Sequence, residues 1–165
     1  MKVKRLVMTA VFTALVFVTT AYILHIPIPA TGGYVHIGDA VIYLAAACLP
    51  LPYAIFTASV GAGLCDALFA PVYVIPTIII KAILVLFFTN KKDKIICKRN
   101  VIALILAGVT GVLCYYAVDA FLYFDKNFLA ALSTLPMSFV QPAASAAAFL
   151  IIGAALDKLN FKKLF

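Results

Sequence analysis

Long apolar stretches divided by short basic patches decide what this chain can become. Eleven of its thirteen Lys and Arg residues fall in three patches: Lys2, Lys4 and Arg5; then Lys91, Lys92, Lys94, Lys98 and Arg99; then Lys158, Lys162 and Lys163. In lipid every backbone polar group has to be satisfied within the chain, so apolar stretches of this length read as membrane-spanning helices. Basic residues gather in the loops on the cytoplasmic side. With 66% apolar residues, 12% charged and a mean hydropathy of +1.16, the chain lies outside the soluble range, and its surface has to be covered by lipid. The same pattern accounts for the net charge of +7 without a nucleic-acid partner.

Six spans are predicted, at about 20 residues each where lipid is crossed in full. They cover residues 6–24, 36–50, 53–69, 72–89, 101–123 and 136–156. Ile26-Pro27-Ile28-Pro29 and Thr31-Gly32-Gly33 separate the first two. The Leu49-Pro50-Leu51-Pro52 turn and Ala70-Pro71 bound the third. A basic loop over 90–100 follows the fourth. Asp125, Lys126 and Asn127, then a short interfacial helix at Phe128–Leu132, precede the sixth. The first span runs into Pro-rich sequence rather than a small-residue cleavage site, which predicts a retained helix and not a signal peptide. An even number of crossings separates each basic patch from the next, so all three belong to the cytoplasmic side together with both termini. The expected fold is an all-α integral membrane protein, one compact six-helix bundle over residues 1–165.

A charge at mid-bilayer costs about 2.5–3.5 kcal/mol on the insertion scale, so such residues face the protein interior and find partners. Asp39, Asp66, Lys81 and Asp119 qualify. The three aspartates are each about one turn from the outer end of their span. Lys81 lies about 13 Å deep at helical rise. Tyr34, His36, Tyr43, Tyr73, Tyr115, Tyr116 and Gln141 fall in the same outer half. The inner half is nearly all aliphatic. This profile suits a cavity open to the outside, and it does not suit a pore or a proton wire, which needs polar groups throughout.

Each of these residues also has a purely structural reading. Asp39 or Asp66 pairing with Lys81 would simply hold helices together. Asp39, after Gly38 near a helix start, suits an N-terminal cap as well as a ligand contact. His36 near the interface is a capping or snorkelling residue more often than a metal ligand, and zinc would have only His25 as a second histidine. Cys48, Cys65, Cys97 and Cys114 are scattered and show no metal or disulfide spacing. As a set, however, one lysine cannot neutralise three aspartates, which favours a polar site for a small ligand.

Small residues one turn apart allow close helix approach in lipid. They occur at Ala10 and Ala14, with Ala21 two turns on, and at Ala58 and Ala62 beside Gly61 and Gly63. Internal packing is the default expectation for them.

Taken together these features resemble the substrate-binding S component of an energy-coupling factor (ECF) type vitamin transporter. Length and six-span layout agree over nearly the whole chain. Ala10 and Ala14 are similar to the AxxxA motif with which S components dock on their coupling subunit. The run Gly32-Gly33-Tyr34-Val35-His36-Ile37-Gly38-Asp39-Ala40-Val41-Ile42-Tyr43-Leu44-Ala45-Ala46 is similar to the GDAVI-containing start of span two in one branch of these proteins. Asp66 and Ile78-Ile79-Ile80-Lys81-Ala82 fall where that branch carries an AD and an IIKG-like element, with Ala82 in place of glycine.

The resemblance implies a vitamin or precursor held in an outward-facing pocket under a lid at 26–35. It further implies toppling against a transmembrane coupling subunit driven by two cytoplasmic ATPases, in a prokaryotic plasma membrane. Asp39, Asp66, Lys81, Asp119, Tyr34, His36, Tyr43, Tyr73, Tyr115 and Gln141 would form the site, without cofactor, metal or catalytic residue. No GxxxxGK[ST], HExxH or GxSxG motif is present. The absence of Trp argues against a thiamin-type site. Tyrosines to stack on a flat ring leave riboflavin-like, pyrimidine-like, folate-like and other small-vitamin substrates open. The rival readings are a small membrane enzyme, a channel, and a ligand-free structural membrane subunit.

Overall fold

The computed structural model describes residues 2–23, 25–28 and 33–164. The turn-forming Pro29, Thr31 and Gly32, and the Leu24 end of the first expected span, lie outside them. Each apolar stretch forms a helix: α1 (Lys2–Tyr22), α2 (Gly38–Cys48), α3 (Leu51–Phe69), α4 (Val74–Val85), α5 (Lys98–Leu122) and α7 (Leu135–Lys158). The short α6 (Phe128–Ala131) stands where an interfacial helix was expected, with Asn127 Oδ1 accepting from the Ala130 amide at 3.0 Å. Prolines set the breaks. Pro50 is the residue before α3, and Pro71 opens a 3₁₀ turn, Pro71–Tyr73, that feeds α4. The chain is an all-α membrane protein.

Two features depart from the expected layout. Where a lid loop was expected, Ile26–Ile28 (β1) and Gly33–Val35 (β2) pair antiparallel, with Ile26 opposite Val35 and Ile28 opposite Gly33. Ile26 and Ile28 each precede a proline, which biases them to extended backbone.

The second departure is length. Among the described residues four helical segments are long and apolar enough to cross a bilayer, whereas α2 and α4 fall short of the expected 36–50 and 72–89. For α2 the physical reason is its place in the bundle: all eleven of its residues are buried. It packs on α1, α3, α4 and α7. A helix sheathed in protein has no lipid thickness to match.

Around α2 the core is aliphatic, with Tyr43 stacked on Phe88 at 4.8 Å and edge-on to Phe149 at 6.4 Å. α1 approaches α3 closely at Gly61, where a Cβ would stand 2.8 Å from Val16 Cβ and 3.0 Å from the Thr13 carbonyl. The large apolar side chains exposed along α1, α3, α4, α5 and α7 form the outer surface that lipid covers.

The bundle has two chemically different ends. At one, the 90–100 loop is fastened to the C-terminal end of α7. Asp157 accepts from the Ile95 and Ile96 amides at 2.7 and 2.9 Å, and Lys162 Nζ donates to the Asn90 and Lys92 carbonyls. Asn100, fully buried, accepts from the Thr89 amide and donates to the Thr89 and Ile95 carbonyls. The basic patches of the loop and of the chain end therefore share this end. At the other end lies the hairpin, where His25 meets Phe69 of α3 at 5.2 Å between ring centres.

Candidate functional site

Asp39 is in the first turn of α2, yet it does not cap it. That role falls to His36, whose Nδ1 accepts from the Gly38 amide at 3.0 Å and so carries no proton there. The Asp39 carboxylate instead accepts from Lys81 Nζ at 2.6 Å and from Gln141 Nε2 at 2.8 Å, joining α2, α4 and α7. Of the two aspartates expected to compete for Lys81, Asp39 takes it, and this is the one salt bridge among the described residues. Lys81 Nζ also lies 5.3 Å from the centre of the Tyr115 ring, a cation–π contact.

The other two aspartates are held by phenols. Tyr34, on β2, donates its hydroxyl to Asp66 in the last turn of α3 and stands 3.2 Å from Cys65 Sγ. Its ring stacks on His25 at 4.1 Å. Burial, and next the Asp66 carboxylate, push the Tyr34 phenol far above its usual range, so it remains a donor at any physiological pH. Tyr73 donates to Asp119 at 2.7 Å, and Thr77 shares a 2.9 Å hydrogen bond with the Tyr115 hydroxyl. Lys81 thus neutralises one of the three aspartates, and neutral hydroxyls meet the other two. Asp66 and Asp119 each accept a phenol hydrogen bond, from Tyr34 and Tyr73, which offsets part of the cost of burying them without neutralising them and leaves acceptor positions on both carboxylates.

All ten residues singled out from the sequence line a single cavity of about 90 Å³, beneath the hairpin and opposite the basic end. Tyr43 has a second role there, since it also belongs to the aromatic core under the cavity. Tyr116 does not reach it: its hydroxyl donates to the Phe128 carbonyl at 2.7 Å.

Sequence reasoning missed Thr20, Thr77 and Ser138, which also line the cavity. A threonine or serine in an apolar helix carries no depth signal, because its hydroxyl so often bonds back along its own helix. Thr20 does not. It is 1% exposed, and its Oγ1 has no hydrogen-bond partner among the described residues. Gly108 and Gly111, one turn apart on α5, give the cavity part of its width; a Cβ at Gly108 would stand 3.1 Å from Pro142.

Ala10 and Ala14 lie away from the cavity and are exposed, so internal packing does not explain them. Ala21, on nearly the same face by helical angle, is buried under the hairpin end, and Ala58 and Ala62 are buried as well. Among the described residues no group of three or more His, Cys, Asp or Glu side chains is placed to hold a metal ion.

Residues 1–158 match the family model described as "ECF-type riboflavin transporter, S component". A search of curated proteins found no match to the chain.

Proposed function

The chain belongs to the family of S components of ECF-type riboflavin transporters, and on that premise we propose that it captures a flavin in the cavity beneath the hairpin. The family is a transporter subunit and not an enzyme. In this reading six helices cross a prokaryotic plasma membrane, the basic end and both termini face the cytoplasm, and the cavity opens outward. A transmembrane coupling subunit, docked on the exposed Ala10/Ala14 face, and two cytoplasmic ATPases would drive uptake.

The observation that carries this reading is the meeting of tyrosines, paired carboxylates and an unpartnered hydroxyl in one cavity. A flavin presents a flat ring system, imide and ring-nitrogen acceptors, and a hydroxylated chain. Tyr73 and Tyr115 offer ring faces. Gln141, Thr20 and Thr77 offer groups that both donate and accept, while Asp66 and Asp119 accept from an imide or hydroxyl. Because the Lys81–Asp39 pair is self-neutralised, the site suits an uncharged ring better than an anion. Ligand clefts run to about 300–1,000 Å³, well above the about 90 Å³ here. Entry of a flavin therefore requires the hairpin to swing away, releasing Tyr34 from Asp66 and carrying its His25 stack with it.

Titrating the purified protein with riboflavin while following flavin fluorescence tests this directly. Saturable quenching at one flavin per chain, with a raised thermal midpoint, is the expected result. A shift with a different vitamin alone would leave a transporter of another substrate. No shift with any vitamin would favour the ligand-free structural subunit, whose one supporting observation is the internally satisfied Lys81–Asp39 pair.

A further inference from the structure

A second concavity lies at the basic end, between the turn that follows α4 and the first turns of α5, with a volume of about 580 Å³. Its walls are Leu86, Phe87, Ile102, Ala103 and Leu106, and its rim carries Lys92, Lys98 and Arg99. Leu86, Ile102 and Leu106 are about half exposed, at 51%, 50% and 46%. A positive-inside loop explains cations at this level of the membrane, but it does not require them to edge an apolar groove.

The charges there lack compensation within the protein. Among the described residues none of Lys92, Lys98 and Arg99 is in a salt bridge. Asp93, the one acid of the loop, follows Lys91 and Lys92 and precedes Lys94. Asp157, at the same end of the bundle, is engaged by the Ile95 and Ile96 amides. Lys98 and Arg99 also occupy the first turn of α5, where the positive end of the helix disfavours cations. No acidic residue lies in that turn, and no side chain caps it. Three cations and an uncapped helix start thus converge without a counter-charge beside the apolar walls of the groove. An anionic headgroup bearing acyl chains complements both halves of this surface.

We propose that this groove binds an anionic phospholipid, its phosphate among Lys92, Lys98 and Arg99 and its acyl chains along Leu86, Ile102 and Leu106. The site is separate from the hairpin cavity and does not depend on what that cavity binds.

Native mass spectrometry of the full chain, with phosphatidylglycerol or phosphatidylcholine added to the detergent, tests the proposal. Removing three interfacial cations lowers attraction to an anionic lipid by about tenfold or more. Lys92→Gln/Lys98→Gln/Arg99→Gln is therefore expected to reduce phosphatidylglycerol retention to the phosphatidylcholine level. Lys2→Gln/Lys4→Gln/Arg5→Gln, which removes the same charge elsewhere, is expected to leave it unchanged. Ile102→Trp fills the groove without altering charge, should also lower retention, and decides the matter if the triple variant fails to fold. Inorganic phosphate is expected not to displace the lipid. Equal retention of the two lipids, or equal loss in both triple variants, would overturn the proposal. So would complete displacement by phosphate, which would mark a free-anion site, or unchanged phosphatidylglycerol retention in both the Lys92→Gln/Lys98→Gln/Arg99→Gln and Ile102→Trp variants.

Discussion

Lys81 Nζ lies 2.6 Å from Asp39 Oδ1, with both side chains almost wholly withdrawn from solvent, at 1% and 4% exposure. The pair ties the start of α2 to the middle of α4, and Gln141 extends the tie to α7. Removing one member strands the other charge in a low-dielectric site, which costs about 3–5 kcal/mol. Lys81→Met alone is therefore expected to lower stability severely in detergent denaturation. Lys81→Met combined with Asp39→Asn should recover most of the loss. A double variant no more stable than the single would show that the pair is not what Lys81 contributes.

Tyr34 links the hairpin to α3 through Asp66. Tyr34→Phe keeps the ring and its His25 stack but removes the donor, a loss of about 1.5–3 kcal/mol for a hydrogen bond to a charged group. If the hairpin is the lid, flavin release should accelerate by about tenfold or more on that scale, together with a lowered thermal midpoint. Stopped-flow fluorescence after dilution measures it. An unaltered release rate would place the gate elsewhere.

Gly38 stands where α2 crosses α1. A Cβ there would overlap the Thr20 hydroxyl and stand 3.0 Å from His36 Nδ1. Gly38→Ala should thus displace α1 from α2, at about 1–3 kcal/mol for an overpacked contact. Thr20→Ala in the same chain should relieve part of it, whereas Thr20→Ala alone, which removes an unsatisfied buried hydroxyl, should cost little stability. Thermal unfolding of the three variants gives the comparison, and flavin titration of Thr20→Ala shows whether that hydroxyl meets the ligand.

Asn100 closes the opposite end through three hydrogen bonds to Thr89 and Ile95 while fully buried. Asn100→Ala leaves a buried amide and two carbonyls unpaired, at about 1–3 kcal/mol each when no water reaches them. Stability should fall and amide exchange in the 90–100 loop should rise, with flavin affinity unchanged. A loss of affinity comparable to the loss of stability would mean that the two ends are coupled.

Ala10 and Ala14 are exposed on α1. Ala10→Leu should leave flavin binding intact and abolish uptake in cells that supply the coupling subunit. Undiminished uptake would refute the docking assignment.

Much of this was legible from residue order, because lipid imposes one rule on every backbone group. Apolar runs had to become helices, Pro50 and Pro71 had to end them, and the basic patches marked one end of the bundle. From that end the polar residues followed as a group at the other, and all of them but Tyr116 line the cavity. Depth along a helix is nearly a one-dimensional quantity, and sequence reports it well. Rotation and crossing are not one-dimensional.

Only the packed bundle decides that Lys81 meets Asp39, forty-two residues away, and not Asp66. In the same way it hands Asp66 and Asp119 to tyrosines and leaves Thr20 unpaired. The short α2 is the same lesson at larger scale: its apolar sequence matches that of a lipid-facing span, but enclosure by α1, α3, α4 and α7 frees it from the thickness of the membrane. Sequence determined which groups would share an end of the bundle. Tertiary structure decided which of them touch, because contact depends on how helices far apart in the chain are turned toward one another.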